Sequence, residues 1–126
     1  MNNSEVIAKN AEGDETTFMG VLHEDHRFDV DLFWELYDAL NTSNEELKNQ
    51  NKVSKALVKH VLKIQRVVLS SIIHHFDPDD DFHIGNLSDI PHHGYLERLN
   101  CIVDCFGERL LKESSFDDDL RWTPTP

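Results

Sequence analysis

The sequence has few cysteines, glycines and prolines, and each shortage excludes a class of protein. Two Cys among 126 residues are too few for a disulfide framework, and 5 Gly with 4 Pro exclude collagen-like repeats and low-complexity sequence. The longest stretch without a charged residue, 67–76, is about half as long as the roughly 20 residues that a membrane-spanning helix needs. We therefore expect one domain over residues 1–126 and no transmembrane helix.

A secretion signal is also missing from the start of the sequence. Residues 1–9 have neither the basic start nor the apolar run of such a signal, so we expect a cytoplasmic protein with reduced thiols. Residues 1–15 and 123–126 contain little apolar surface. We therefore expect both ends of the chain to be flexible.

Positive charge is scarce, with 12 Lys and Arg against 24 Asp and Glu and a net charge of −12. Direct nucleic-acid binding relies on Lys and Arg to neutralise phosphates, so this balance argues against it. Half of the basic residues nevertheless lie between residues 47 and 76, a segment that contains no Asp or Glu. These residues, which we call the basic stripe, are Lys48, Lys52, Lys55, Lys59, Lys63 and Arg66. The stripe is either a solvated helix face, bridged in part to acids of neighbouring helices, or a second interface.

Apolar spacing predicts three main helices. The first begins after Asp29, an N-cap flanked by the hydrophobic staple of Phe28 and Phe33, and ends near Leu40. A capping box of Ser43 and Glu46 predicts the start of a second, long helix. One side of this helix carries an apolar stripe that is expected to be buried, and the segment 67–73 is expected to lie at the centre of the core. That buried stripe consists of Leu57, Val61, Ile64, Val68 and Ile72.

A third helix is expected to start near residues 91–95 and to carry apolar residues as far as Leu110. The apolar cluster at residues 18–22 is interpreted as a short strand or a docking segment. The predicted fold is therefore an all-α bundle of three to four helices with a long central helix and a short N-terminal extended segment.

Imidazole and carboxylate groups are dense in residues 74–83, which makes a metal site worth testing. The potential ligands are His74, His75, Asp77, Asp79, Asp80, Asp81 and His83. A calcium loop is excluded because Phe82 occupies the position of the obligatory Gly and Ser88 that of the bidentate Glu. We expect a polar loop without metal or cofactor, and keep a metal-dependent hydrolase, led by Asp77 and His75, as the enzymatic alternative.

Surface charge remains as the informative feature, since no serine-nucleophile or phosphate-loop motif occurs. Acidic residues interleaved with aromatic ones would suit a basic protein partner, which they would first attract and then anchor. The predicted partner-binding residues are Glu24, Asp25, Asp31, Trp34, Glu35, Tyr37, Asp38, Asp79, Asp80 and Asp81.

In size, charge and predicted helicity the chain resembles the small acidic immunity proteins that accompany bacterial nuclease toxins. The resemblance implies an antitoxin that is not an enzyme and that blocks a basic nuclease by binding it. A phage-type inhibitor that mimics nucleic acid is the alternative with the same charge pattern. The oligomeric state is not predicted by either interpretation.

Overall fold

The computed structural model describes residues 2–50 and 52–111, which contain helices and no strand. The prediction of an all-α fold is confirmed, with five α-helices instead of three to four. In chain order they are α1 (Asn3–Glu12), α2 (Phe18–Glu24), α3 (Val30–Glu46), α4 (Lys55–Phe76) and α5 (His92–Leu111). Single 3-10 turns lie at Leu47–Asn49 and Leu87–Asp89.

The start of α3 agrees with its sequence signals. The Asp29 carboxylate accepts a hydrogen bond from the Leu32 N–H at 3.0 Å, which satisfies one of the free donors of the first turn. Phe28 and Phe33 are both buried, and their rings stack with 5.6 Å between centroids. The predicted N-cap and staple are therefore confirmed.

The predicted boundary between the first and second helices is wrong. α3 continues to Glu46, because Ser43 and Asn44 are buried on its packed side and Leu47 extends its apolar face. α4 begins at Lys55, twelve residues after Ser43, and its N-cap is Ser54, whose hydroxyl accepts from the Leu57 N–H at 3.3 Å. The basic stripe is therefore not one helix face: Lys48 lies in a 3-10 turn, Lys52 lies in a loop, and the other four residues lie on α4.

Two helices precede α3, where the sequence predicted a flexible end and an extended segment. α1 is capped by the Asn2 side chain and ends at Gly13, which adopts the left-handed φ of 73°. Ile7 of α1 is completely buried, so the premise that little apolar surface anchors residues 1–15 is wrong. Residues 18–22 are also helical, with Phe18 fully buried, because the Thr17 hydroxyl caps α2.

α1, α3, α4 and α5 form a four-helix arrangement in which α1 and α5 each pack against both α3 and α4. α3 and α4 therefore occupy diagonally opposite corners. The short α2 contacts α1, α3 and α4 and closes one end. Within the described residues, none of the helices has the length and apolarity needed to cross a membrane.

The predicted apolar stripe of α4 lies in or against the core, whereas the predicted central position of the segment 67–73 is wrong at Ile73. Val61, Ile64 and Val68 are buried in the common core. Ile73, expected in the centre of the core, is 68% exposed, because its position in the helical repeat puts it on the side of α4 opposite to Val61, Ile64 and Val68. The predicted flexible segment 123–126 lies outside the described residues.

Candidate functional site

Three predicted partner-binding carboxylates form a row on α3. Asp31, Glu35 and Asp38 follow one another at helical spacings of four and three, and all three are exposed. In the part of the chain that the structure describes, none of them takes part in an ion pair. Because α3 extends beyond the predicted Leu40, exposed Glu46 continues this side of the helix, which sequence analysis missed.

Trp34 and Tyr37, the predicted aromatic anchors, belong to an aromatic cluster that joins α3 to α5. The Trp34 ring lies 5.6 Å from Phe33 and 5.8 Å from Tyr95, and Tyr37 lies 5.5 Å from Trp34. Both side chains stay partly exposed. The Arg98 guanidinium stands 5.3 Å from the Trp34 ring centroid, in cation–π range. These rings therefore form a fixed edge beside the acidic row and are not free to insert deeply into a partner.

Glu24 and Asp25 lie at the end of α2, away from the row on α3. With Gly13, Glu15 and Thr16 they line an open cleft of about 650 Å³. Glu24 also lies 3.8 Å from His23, and both side chains are well exposed. The cleft places three carboxylates around one depression. Glu15 was missed because it belongs to the segment predicted to be flexible.

The loop acids serve partly to fold the loop after α4. Asp80 contacts His74 at 2.6 Å and accepts the Phe82 N–H at 2.8 Å. The hydrogen bond from Phe82, followed by that from His74, lowers the pKa of Asp80. Asp79 and Asp81 are exposed, whereas Asp80 is only partly so. Of the three predicted residues in this loop, Asp80 therefore has a structural role.

The residues of the hydrolase alternative do not converge on a metal site. His75 Nδ1 accepts the Ile84 N–H at 2.9 Å, and its ring stacks on His83 at 4.6 Å. Burial, followed by the charges of neighbouring histidines, lowers the pKa of His75. Among the described residues, no three His, Cys, Asp or Glu side chains are grouped so that they could hold a metal ion. Nothing in this arrangement supports Asp77 and His75 as catalytic residues.

A second depression lies where α4 meets the end of α2 and the loop that follows α4. Its volume is about 390 Å³, and Arg66, His74, Asp80 and Phe82 contribute to its walls. The basic groups are exposed, and His74 is already bound to Asp80. Arg66 forms no ion pair in the described residues, but one exposed guanidinium does not by itself make a site for a small ligand.

Comparison of this chain with known protein families, curated protein sequences and solved structures finds no match. The surface of the molecule therefore has to indicate its function. Its largest asymmetry is electrostatic: an acidic row on α3 and basic residues on α4, at opposite corners of the bundle.

Proposed function

We propose that this protein is a non-enzymatic binding domain that recognises a basic protein partner through the exposed face of α3. The observation that supports this most directly is the exposed row of Asp31, Glu35 and Asp38, which form no ion pair within the described residues. Acids kept only for solubility need not be aligned on one rigid helix. A partner with a complementary basic surface would be attracted to this row.

The acidic row would act mainly on the rate of association. Carboxylates in water interact with a cation by about 1 kcal/mol each at 4 Å, so several must act together to steer a partner. α3 is anchored by the buried Phe33 and Leu36, so its carboxylates lie on a preformed surface. Binding would then require little ordering of the backbone. Because little conformational entropy is lost, more of the free energy of the contacts contributes to affinity.

The narrower form of the proposal is an immunity protein or antitoxin for a nuclease. A nuclease carries a positive surface for the phosphates of its substrate, and an acidic helix placed there would exclude the substrate. A mimic of nucleic acid would bind a nucleic-acid-binding protein, whether or not that protein is a nuclease. A captured partner that binds nucleic acid without cleaving it would favour the mimic.

The test uses the 126-residue chain to capture partners from an extract of its source cells, followed by purification of the captured protein. Association rates are measured for the wild type and for the Glu35→Lys/Asp38→Lys variant at several salt concentrations. We expect the variant to associate roughly tenfold more slowly, and the wild-type rate to fall as salt is added. The captured protein should cleave DNA or RNA, and the wild type should block that cleavage.

The matched control is Lys55→Glu/Lys59→Glu, which reverses two charges at the opposite corner of the bundle. Its association rate should equal or exceed that of the wild type. Slower association in this control, with no effect of Glu35→Lys/Asp38→Lys, would assign the interface to α4 and an acidic partner. A captured basic protein without nuclease activity would contradict the antitoxin form alone.

A further inference from the structure

The outer face of α4 carries apolar side chains with no cover in the described residues. The large hydrophobic residues exposed there are Leu62, Ile73 and Phe76, at 55%, 68% and 60%. With Arg66 and Leu69 between them, they follow alternating spacings of four and three, so they lie along one line of the helix. This spacing is typical of a face that packs against another segment.

Basic residues flank this apolar line at the N-terminal half of α4. Lys55, Lys59, Lys63 and Arg66 form no ion pair with any residue in the described ranges 2–50 and 52–111. Together with the apolar side chains of Val58 and Leu62 they line an open groove of about 470 Å³. The groove therefore suits a segment that combines carboxylates with apolar side chains.

The course of α5 brings the end of the described chain to the same height in the bundle as this groove. The side-chain amide of Gln65 donates to Asn100 at 3.1 Å, and Phe76 lies 6.0 Å from His92. The residue numbers fall on α4 as they rise on α5, so the two helices are antiparallel. The end of α5 therefore lies level with the start of α4.

The sequence that follows Leu111 has the matching chemistry. Asp117, Asp118 and Asp119 are consecutive, with Phe116 before them and Leu120 after them, and Trp122 follows. Fifteen residues follow Leu111 in the sequence, and an extended chain of that length reaches about 50 Å. The 22 residues of α4 span about 33 Å, so residues 114–122 can reach the groove from the end of α5.

We propose that residues 114–122 bind intramolecularly along the outer face of α4. The carboxylates of residues 117–119 contact Lys59, Lys63 and Arg66, and Phe116, Leu120 or Trp122 covers Leu62. This contact shields the basic corner of the molecule. Without it, that corner would be complementary to the acidic row on α3 of a second copy. The proposal is independent of the partner that α3 binds.

The test is nuclear magnetic resonance of the full-length protein at low concentration. We expect nuclear Overhauser contacts between the rings of Phe116 or Trp122 and the methyl groups of Leu62. The variant Lys59→Glu/Lys63→Glu should lose them, because the groove then repels the acidic segment. Adding Asp117→Lys/Asp118→Lys to that variant should restore them, whereas the control Lys52→Glu, which changes one charge outside α4, should keep them.

Three results would overturn the proposal. Wild-type protein without these contacts would show that residues 114–122 do not occupy the groove. Contacts seen only between differently labelled molecules in a mixed sample would assign the groove to a second copy. Contacts that persist in Lys59→Glu/Lys63→Glu, or that fail to return after the double charge exchange, would remove charge complementarity as the cause. Thermal unfolding of each variant checks that these exposed substitutions leave the fold intact.

Discussion

Gly20 is the position where the structure makes its sharpest prediction about stability. A Cβ at this residue of α2 would overlap the Asp14 carbonyl oxygen and come within 2.8 Å of the Glu15 Cα. Ordinary contacts between carbon atoms are about 3.5 to 4.0 Å, and the overlap with the Asp14 oxygen is deeper than that with the Glu15 Cα, so Gly20→Ala forces α2 to move by more than about 1 Å. The opposing backbone is held in place, because the Thr17 hydroxyl donates to the Asp14 carbonyl at 2.6 Å.

Two opposing effects decide the sign of the change. Replacing Gly by Ala inside a helix stabilises by up to about 1 kcal/mol when the methyl group is unobstructed. Overpacking a close contact costs typically about 1 to 3 kcal/mol, and a clash with backbone lies at the upper end. We therefore expect Gly20→Ala to lower the free energy of unfolding by about 2 kcal/mol.

Gly107 provides the matched control. It lies inside α5, and a Cβ added there meets no atom within 4 Å. Gly107→Ala should therefore raise the free energy of unfolding by about 0.5 to 1 kcal/mol. Urea unfolding followed by circular dichroism gives both midpoints, and equal slopes confirm comparable unfolding reactions. If Gly20→Ala stabilised the protein as Gly107→Ala does, α2 would not lie against the α1–α2 turn, and the acidic cleft would be misplaced.

Two further predictions concern the loop between α4 and α5. Asn86→Ala should lower the free energy of unfolding in urea by about 1 to 3 kcal/mol, because the Asn86 amide accepts from and donates to the Phe28 backbone, in the α2–α3 connection, at 2.8 Å. The control Asn41→Ala, at an exposed position, should change the free energy of unfolding little. The pKa of His75 is lowered in the folded protein, so the unfolded chain binds more protons and stability should fall as the pH drops below about 6.5. His75→Asn, which keeps an acceptor for the Ile84 N–H but does not titrate, should show a smaller decrease, and an identical pH profile would contradict this role of His75.

The helix class and the strongest helix start were predictable from the sequence because their signals are local. Phe28, Asp29 and Phe33 interact across one turn, so their spacing alone determines the staple and the cap. The true end of α3 depends on partners from elsewhere in the chain. Ser43 resembled an N-cap, but burial against neighbouring helices keeps it inside α3, and tertiary packing therefore prevailed over local preference.

α1 and α2 were missed for a related reason. α1 has few apolar residues, and the apolar cluster of α2 is too short to show a helical repeat, so a polar side chain carries part of the contact between them. Buried Asn10 donates to the Val6 carbonyl and accepts the Met19 N–H at 3.2 Å, so it joins the two helices through a nine-residue separation. A single Asn in a polar segment gives no indication of such a bridge, because its hydrogen bond to the second helix forms only if that helix lies beside it.

For the candidate site, the sequence likewise predicted which charges are present but not where they lie in the fold. The sequence indicated that acids and bases are segregated, but their position at opposite corners follows from α1 and α5 each packing against both α3 and α4. The boundary error at Ser43 moved Lys48 and Lys52 onto the wrong element. The correct N-cap, Ser54, leaves on α4 only those basic residues that border its exposed apolar line.

The predicted acidic residues are therefore not equivalent as binding groups. Asp80 accepts a backbone N–H and contacts His74, so a basic partner would have to compete with bonds that already stabilise its charge. Asp31, Glu35 and Asp38 project from a helix whose packed side is fixed by buried residues, and no ion pair within the described residues offsets their charge. Because an uncompensated charge acts on a partner at longer range than one already paired, α3 contributes more to steering than the loop does. An interface centred on α3 thus follows from the contacts of each carboxylate, and not from the number of acids nearby.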